Sequence, residues 1–424
     1  MLEQIMDRRN VEKALISVIR NGGVGGVDGM QTDELRDYLN RNYQTLRKSV
    51  LDGTYRPQAV KKVEIPKPGG GVRMLGIPTV LDRLLQQAIS QWMNQFYEPT
   101  FSEYSYGFRF KRNAHQAVRA AQRLLDEGKT WIVELDLEKF FDRVNHDKLM
   151  SLIARRISDQ ATLKLIRLFL ESDMMEGGVQ SQRLEGTPQG SPLSPLLSNI
   201  MLHELDVELT KRGHSFVRYA DDCSIYVRSE KSAHRVLESI TRYIENELRL
   251  KVNRTKSKIS RPSRSTLLGL SFYRWKGRWT IRIAEKSLER MKVKCKLITG
   301  RSKGGSIHQK LSQLAPVIRG WVNYFCIATA GEPLKRLDEL IRTRLRICIW
   351  KEWKNSKTRV RNLLKLGAKY QKAYEWGNSS KGYCRIAHSP ILTTVLNNQY
   401  LSKLGYQSLL STYKTQTETQ PTLF

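Results

Sequence analysis

The sequence has 424 residues, with 72 Lys and Arg against 41 Asp and Glu, which gives a formal net charge of +31 at pH 7. Its 40% apolar and 27% charged residues exclude a largely disordered chain, and its length suits about two to four domains. Solubility needs a net charge of only about 2 to 8 in a small domain, so this excess indicates a polyanionic partner, most simply nucleic acid.

Three further features exclude whole classes of protein. The five cysteines are far apart, with no Cys-x-x-Cys pair and no metal-binding spacing to a His, which argues against zinc and against disulfides. No apolar run is long enough to span a membrane, and the first residues do not resemble a signal peptide. We therefore expect a cytoplasmic protein with no membrane partner.

The first sixty residues are predicted to be helical. Apolar residues recur every three or four positions over residues 11–20 and 35–50. The glycine-rich segment 21–26 separates these two helices, and Asp52-Gly53 ends the second.

A β-hairpin and a long helix are predicted next. Residues 59–65 alternate between apolar and polar in the manner of a strand, and 66–71, Pro-Lys-Pro-Gly-Gly-Gly, predicts a tight turn. Residues 72–77 then form the returning strand, and the long helix covers 80–97.

Two apolar runs of strand type carry acidic residues. The first is 131–137, which contains Asp136, and the second is 216–227, which contains Asp221 and Asp222. Helical segments such as 147–157 and 195–209 lie between them. Strands separated by helices in this way predict an α+β domain.

The last third of the chain has a different character. A hairpin is predicted from 267–275 and 279–283, and the chain from 281 onward reads as helical, with 27 basic and 8 acidic residues. The final residues, 412–424, are predicted to be a polar tail. Aromatic residues are interspersed in this basic stretch: Trp321, Tyr324, Phe325, Trp350, Trp353, Tyr370, Tyr374, Trp376 and Tyr383.

The acidic residues are candidates for a metal site. Taken alone, Asp221 and Asp222 are better read as a surface turn, because adjacent Asp residues are common in turns. Asp136, about 85 residues earlier at the end of another strand, changes the interpretation. Three carboxylates without thiolates suit two Mg²⁺ ions in a phosphoryl-transfer site.

The sequence resembles the reverse transcriptases encoded by bacterial group II introns. The motifs that carry the resemblance are, in chain order, Gly-Val-Asp-Gly at 26–29, Ile-Pro-Lys-Pro at 65–68 with Arg-x-Leu-Gly-Ile-Pro at 73–78, Ser-Tyr-Gly-Phe-Arg at 105–109, Asp136 with Phe-Phe-Asp at 140–142, Gly-Thr-Pro-Gln-Gly at 186–190 with Ser-Pro-Leu-Leu-Ser-Asn at 194–199, Tyr-Ala-Asp-Asp at 219–222, Asn253 with Lys256, Leu-Gly at 268–269, and Gly-Trp-Val-Asn-Tyr-Phe at 320–325. These motifs stand in the expected order, and the resemblance covers nearly the whole chain.

The resemblance implies a right-hand polymerase of fingers, palm and thumb, followed by a helical, basic RNA- and DNA-binding domain. The expected parts are an N-terminal extension with the start of the fingers at 1–60, fingers and palm at 61–284, a thumb or maturase region at 285–355, and the C-terminal domain at 356–424. Two departures stand out. Phe-Lys at 110–111 replaces the family's frequent Pro-Gly, which leaves that turn's geometry open, and no paired cysteines follow, so we expect a compact class C member without an endonuclease.

Residue roles follow from the resemblance together with the chemistry. Asp136 and Asp221 are expected to ligate two Mg²⁺ ions and Asp222 one of them, with Mn²⁺ able to substitute. The remaining expected site residues, which contact nucleotide or line the site, are Lys67, Arg73, Phe141, Gln189 and Lys256.

Each of these roles has a plainer alternative. Lys67 and Arg73 would bind the incoming triphosphate, or else are ordinary surface charges. Phe141 would exclude a 2′-hydroxyl so that DNA is made, while Phe140 is expected in the core. Gln189 would hydrogen-bond the nucleotide. Lys256 would lie near the metal site, or be a solvated lysine at the end of a helix.

The implied function is an RNA-directed DNA polymerase that copies intron RNA during retrohoming and, as a maturase, binds that RNA to assist splicing. Its partners would be group II intron RNA, target and primer DNA, and dNTPs, in an intron ribonucleoprotein on DNA. Two alternatives stay open: an RNA-binding splicing factor with a decayed polymerase site, and a reverse transcriptase of the retron, diversity-generating or defence-associated kind.

Overall fold

The computed structural model describes residues 1–66, 70–176, 179–181, 183 and 185–419. The chain divides into two compact units, Met1–Pro262 and Ser263–Phe424. This division falls at residue 262 and not at 284, where we expect the polymerase domain to end; the four functional parts remain a prediction.

The first unit mixes helices with two small sheets. Among its described residues, helices α1 to α10 are Leu2–Ile5, Arg8–Asn21, Leu35–Leu51, Val80–Tyr97, Ala114–Asp126, Phe140–Arg143, His146–Ala154, Gln160–Leu170, Ser194–Lys211 and Glu230–Asn246. Strands β1 to β8 are Val60–Pro66, Val72–Ile77, Trp131–Leu135, Met174–Glu176, Val179–Ser181, Ser215–Tyr219, Asp222–Val227 and Lys258–Ser260.

One four-stranded antiparallel sheet, in the order β6-β7-β3-β8, carries the candidate carboxylates. Leu135 of β3 pairs with Cys223 of β7, and Tyr219 of β6 pairs with Asp222 of β7. Buried β-branched and aromatic residues of this sheet, such as Val133, Phe216 and Ile225, join the main apolar core. The sheet therefore places the last residues of β3 and β6 and the first residue of β7 at one edge.

Helix α9 crosses this core. Eleven of its 18 residues are buried, because apolar residues lie on all sides of the helix and not along one stripe. Its first turn follows the Gly-Thr-Pro-Gln-Gly loop, so the core fixes the position of that loop.

The second sheet holds the predicted hairpin at its edge, in the order β2-β1-β4-β5. Strands β1 and β2 pair from Lys61 with Ile77 to Pro66 with Val72. Helix α4 then starts at an N-cap, where the Thr79 hydroxyl accepts from the Asp82 N–H.

The second unit is a hairpin followed by helices. Strands β9 and β10 are Leu270–Trp275 and Arg278–Ile283, joined by Lys276 and Gly277, both at positive φ, as a tight hairpin turn requires. Helices α11 to α19 are Glu285–Ile298, Ile307–Phe325, Gly331–Glu352, Ser356–Lys365, Tyr370–Gly377, Tyr383–Ala387, Pro390–Val395, Asn398–Lys403 and Leu409–Thr419.

Most predicted elements are confirmed, including both N-terminal helices, both hairpins and the α+β fold with a helical C-terminal region. Two predictions are wrong. The run 216–227 is two strands joined by a turn, and residues 412–419 belong to helix α19, where the Tyr413 hydroxyl donates to the Ala328 carbonyl at 2.8 Å.

Two further observations bear on the excluded classes. All five cysteines lie in the described part and are free thiols, as expected. No helix in the described ranges combines the length and apolarity needed to cross a membrane.

Candidate active site

The turn between β6 and β7 carries Asp221 and Asp222. Ala220 takes a positive φ of 56°, so the chain reverses within two residues. In a continuous strand the two carboxylates would point to opposite faces; the turn removes that separation. A tight turn, which a shared site for both carboxylates needs, is therefore present.

Asp136 directly follows β3, which pairs with β7. Because Leu135 lies opposite Cys223, the next position along β3 brings Asp136 to the level of Asp222. The Asp136 N–H donates to the Ser257 hydroxyl at 3.0 Å, and the Asn253 N–H donates to the Asp136 carbonyl at 2.8 Å. The sheet thus brings the three predicted carboxylates to one edge and fixes the backbone of the first.

These carboxylates repel one another at a partly buried edge of the sheet. Burial raises the pKa of Asp222 to about 6, helped by the charges of Asp221, Asp136 and Glu134 and opposed by Lys256. Burial and the charge of Asp136 also raise the pKa of Asp221. The Asp222 side chain still keeps contact with solvent, so a ligand can reach it.

One carboxylate oxygen has no hydrogen-bond donor. Asp136 Oδ2 is buried and accepts no hydrogen bond from the described residues, and Lys256 Nζ lies 3.5 Å away. A buried carboxylate oxygen without a donor is costly, and a cation would satisfy it. Lys256 is therefore beside the site, as predicted, although its side chain is largely exposed.

The described residues contain no preassembled group of three or more His, Cys, Asp or Glu that could hold a metal ion. This does not conflict with Mg²⁺ chemistry, because Mg²⁺ is usually held by one or two carboxylates with water and substrate phosphates completing its shell. Mutual repulsion, an unsatisfied oxygen and solvent access fit a site that closes around metal and nucleotide together.

The hairpin of β1 and β2 faces this site. Arg73 lies on β2 opposite Ile65, and its charge acts to lower the pKa of Asp221. Arg73 is exposed, so its guanidinium is available to a ligand. Lys67 lies outside the described residues.

The Gly-Thr-Pro-Gln-Gly loop links β2 to the segment that carries Phe141. The Gly76 N–H donates to the Gln189 carbonyl at 2.8 Å, and the Thr187 N–H donates to the Phe141 carbonyl at 2.6 Å. Gly190, at φ 114°, leaves no room for a Cβ, which would lie 2.8 Å from the Gly76 oxygen. Gln189 and Phe141 therefore lie on one connected framework.

The two adjacent phenylalanines occupy different environments. Phe140 is 3% exposed and belongs to the core, as expected, whereas Phe141 is only partly buried. Their rings meet edge to face with centroids 5.2 Å apart. The buried Phe140 ring thus packs against the more accessible Phe141 ring and supports it.

A buried network that the sequence reasoning missed lies beneath the turn between β6 and β7. Arg218 and Asp206 form a fully buried ion pair, and Arg218 Nη1 also donates to the Ala220 carbonyl at 2.9 Å and to Asn199 Oδ1 at 3.1 Å. Asn199 Nδ2 in turn donates to the Gly107 carbonyl at 2.9 Å. An arginine in the middle of an apolar strand was the signal, because such a charge needs a buried partner.

Gly107 packs directly against the same turn. A Cβ at this position would lie 2.2 Å from the Ala220 nitrogen. The segments are tied together on either side, since the Tyr106 N–H donates to the Arg218 carbonyl and the Arg218 N–H donates to the Tyr104 carbonyl. The motif at 105–109 thus supports the turn that carries Asp221 and Asp222.

Comparison with protein families gives two matches. Residues 65–272 match the model for reverse transcriptase (RNA-dependent DNA polymerase), and residues 288–367 match the group II intron, maturase-specific domain. The first range contains all the carboxylates described above, and the second begins in α11.

Three curated proteins are similar to this chain over part of its length. Protein YkfC of Escherichia coli K12 is 34% identical over 287 residues, which are 58% of this chain and 75% of YkfC. The group II intron-encoded protein LtrA of Lactococcus lactis subsp. cremoris is 38% identical over 179 residues, 42% of this chain and 30% of LtrA. A 91 kDa protein in the cob intron of Schizosaccharomyces pombe is 35% identical over 180 residues, 42% of this chain and 21% of that protein. The chain thus spans three quarters of one relative and less than a third of the other two.

Proposed function

Because this chain belongs to the reverse transcriptases encoded by group II introns, we propose that it copies intron RNA into DNA at Asp136, Asp221 and Asp222. The family supplies the activity, which is RNA-directed DNA polymerisation. The observation that carries the assignment to this site is the strand pairing that brings Asp136 to the level of the Asp221-Asp222 turn.

The three carboxylates fit a pair of divalent ions. When bound, two Mg²⁺ ions, or Mn²⁺ in their place, lower the pKa of the primer 3′-hydroxyl and neutralise charge on the departing pyrophosphate. Asp136 and Asp221 would hold both ions and Asp222 one. The support is the donor chemistry: hard oxygen ligands, one of them buried without a hydrogen bond.

Residues around the carboxylates would bind the incoming dNTP. Arg73 and Lys67 would hold the triphosphate, Arg73 with a bidentate fork and Lys67 as a point charge. Gln189 would hydrogen-bond the nucleotide, and Phe141 would occupy the space that a 2′-hydroxyl needs. Lys256 would hold Asp136 in place before substrate arrives, since its Nζ lies 3.5 Å from Oδ2.

The second unit would bind intron RNA and so assist splicing, in a ribonucleoprotein that also engages primer and target DNA. Support comes from the maturase-specific match at 288–367 and from the 27 basic residues after position 281. The same match favours an intron enzyme over other bacterial reverse transcriptases. Contacts to about six phosphates would give a log–log salt slope of about −5 for RNA affinity.

Primer extension on an RNA template tests the site. Asp222→Asn should abolish extension while RNA binding is unchanged, because the substitution removes a metal ligand and not a phosphate contact. Asp33→Asn is the matched control, since this exposed carboxylate lies in the N-terminal segment. Equal extension by Asp222→Asn and the wild type would reject the metal-site assignment.

A further inference from the structure

The loop that follows Gly107 carries two exposed aromatic rings. Phe108 is 53% exposed and Phe110 is 75% exposed, the highest value among the exposed large hydrophobic residues of the described chain. Lys111 Nζ lies 5.4 Å from the centroid of the Phe110 ring, within cation–π range. Apolar rings next to a cation on a highly basic protein form a surface that suits a nucleobase.

This loop is held rigidly at its base. The Arg109 guanidinium donates to Glu98 Oε1 and to the Ser105 carbonyl, each at 3.0 Å, and its side chain is 5% exposed. Arg112 donates to the Glu103 carbonyl at 2.9 Å. The arginines bind the loop to the protein, whereas Phe108, just before Arg109, and Phe110, between the two arginines, face solvent.

The backbone carries strain that packing does not explain. Phe108 and Lys111 both have φ of 57°, in the left-handed region that favours glycine and costs other residues about 1 kcal/mol. The positive φ of Lys111 is one that suits a glycine. Lys111 thus occupies a turn position that does not favour it, and both Lys111 and Phe110 lie exposed, which points to a ligand outside the chain.

The loop adjoins the catalytic turn. Gly107 contacts Ala220, and Phe110 is three residues further, so its Cα lies within about 11 Å of the Cα of Gly107. Bases inside the product duplex are paired and stacked on both neighbours, so they offer no free face to a ring. The unpaired bases near a polymerase site belong to the template ahead of the primer terminus.

We propose that Phe110, assisted by Lys111, stacks on an unpaired base of the template strand next to the catalytic turn. This inference rests on the proposed polymerase function. Stacking on a ring is tolerant of base identity, so the loop would hold any template sequence in position for copying.

A double-mutant cycle that removes the Phe110 ring and one template base, separately and together, tests the inference. Affinity is measured by anisotropy, without dNTPs, for a primer on an RNA template with a few unpaired nucleotides, each replaced in turn by an abasic site. Phe110→Leu removes the ring, Phe110→Tyr retains it, and Phe96→Leu is the control, an exposed phenylalanine on α4.

We expect one abasic position to weaken binding of the wild type, Phe110→Tyr and Phe96→Leu by about tenfold. Phe110→Leu should bind the intact template about tenfold more weakly and lose nothing further at that position. An unchanged abasic penalty in Phe110→Leu, or equal weakening of a blunt duplex, would overturn the inference. Primer extension by the same wild-type preparation separates the two proposals, because its absence rejects the polymerase function whatever the binding cycle shows.

Discussion

Arg218 donates two hydrogen bonds, of 2.7 and 2.6 Å, to the carboxylate of Asp206, and neither side chain has any solvent exposure. The same guanidinium donates to the carbonyl of Ala220, inside the turn that carries the catalytic carboxylates. A planar fork with its charge compensated can hold such a turn in one geometry. The pair therefore links the core helix α9 to the position of Asp221 and Asp222.

Arg218→Lys should separate positioning from folding. Lysine keeps the charge but cannot bridge Asp206 and Ala220 together, so we expect kcat for primer extension to fall at least tenfold with little change in KM for dNTP. The control is Arg155→Lys, whose Nη1 also bonds both oxygens of a glutamate, Glu204, but on the surface. An Arg218→Lys enzyme with normal kcat would contradict the positioning role.

Asp206→Ala should act mainly on stability. It leaves the Arg218 charge buried without its partner, which costs about 3–5 kcal/mol in the free energy of unfolding. Removing in the same way the partly exposed carboxylate of Glu204, whose partner Arg155 is exposed, should cost about 0–1 kcal/mol. Urea denaturation measures both, and similar losses in the two variants would show that the buried pair is not special.

Gly107→Ala should disturb the catalytic turn by a single methyl group. The new Cβ would lie 2.2 Å from the Ala220 nitrogen, so the turn has to move, and we expect a loss of kcat of about a hundredfold, the scale of small misplacements in active sites. Gly320→Ala is the matched control, since no atom of the described residues lies within 4 Å of its Cβ position in α12. Alanine there should stabilise the helix by up to about 1 kcal/mol and leave kcat unchanged.

Sequence patterns predicted the strands and the carboxylates because both leave local signals. Alternating apolar residues and glycine turns give β1 and β2 to within a residue, and motif order gives Asp136 and Asp222. Local sequence patterns could not give the contacts between segments that lie far apart in the sequence. The run 216–227 is apolar enough at both ends to read as one strand, and the positive φ of Ala220, where the chain turns, leaves no such signal. The bond from Arg218 to Asp206 likewise depends on how α9 packs on β6, which no local pattern records.

Phe141→Ala should relax selection between sugars. Because Phe141 is partly buried against the core ring of Phe140, its removal opens space beside the site without deleting a core residue. We expect the ratio of kcat/KM for dNTP over rNTP to fall at least tenfold, measured by single-nucleotide extension. Phe140→Ala is the counterpart, since it should cost about 3–5 kcal/mol of stability and leave the ratio unchanged. An unaltered ratio in Phe141→Ala would remove Phe141 from sugar selection.

Asp222 makes the metal-free protein less stable as pH rises. Its pKa is about 6 in the folded protein, against an ordinary 3.8, so the unfolded chain releases this proton first. Stability should therefore be highest below about pH 4 for this group and fall as pH rises to about 6.

Above about pH 6, Asp222→Asn should make the metal-free protein more stable. We expect about 1 kcal/mol at pH 7.5, a value that allows for the solvent reaching this carboxylate. The measurement is urea denaturation in EDTA at pH 4 and pH 7.5, where the gain should be absent at the lower pH. Adding Mg²⁺ should stabilise the wild type more than the variant, because ions that bind only the folded state raise stability by mass action. A variant less stable than the wild type at pH 7.5 in EDTA would show that Asp222 is not held among repelling carboxylates.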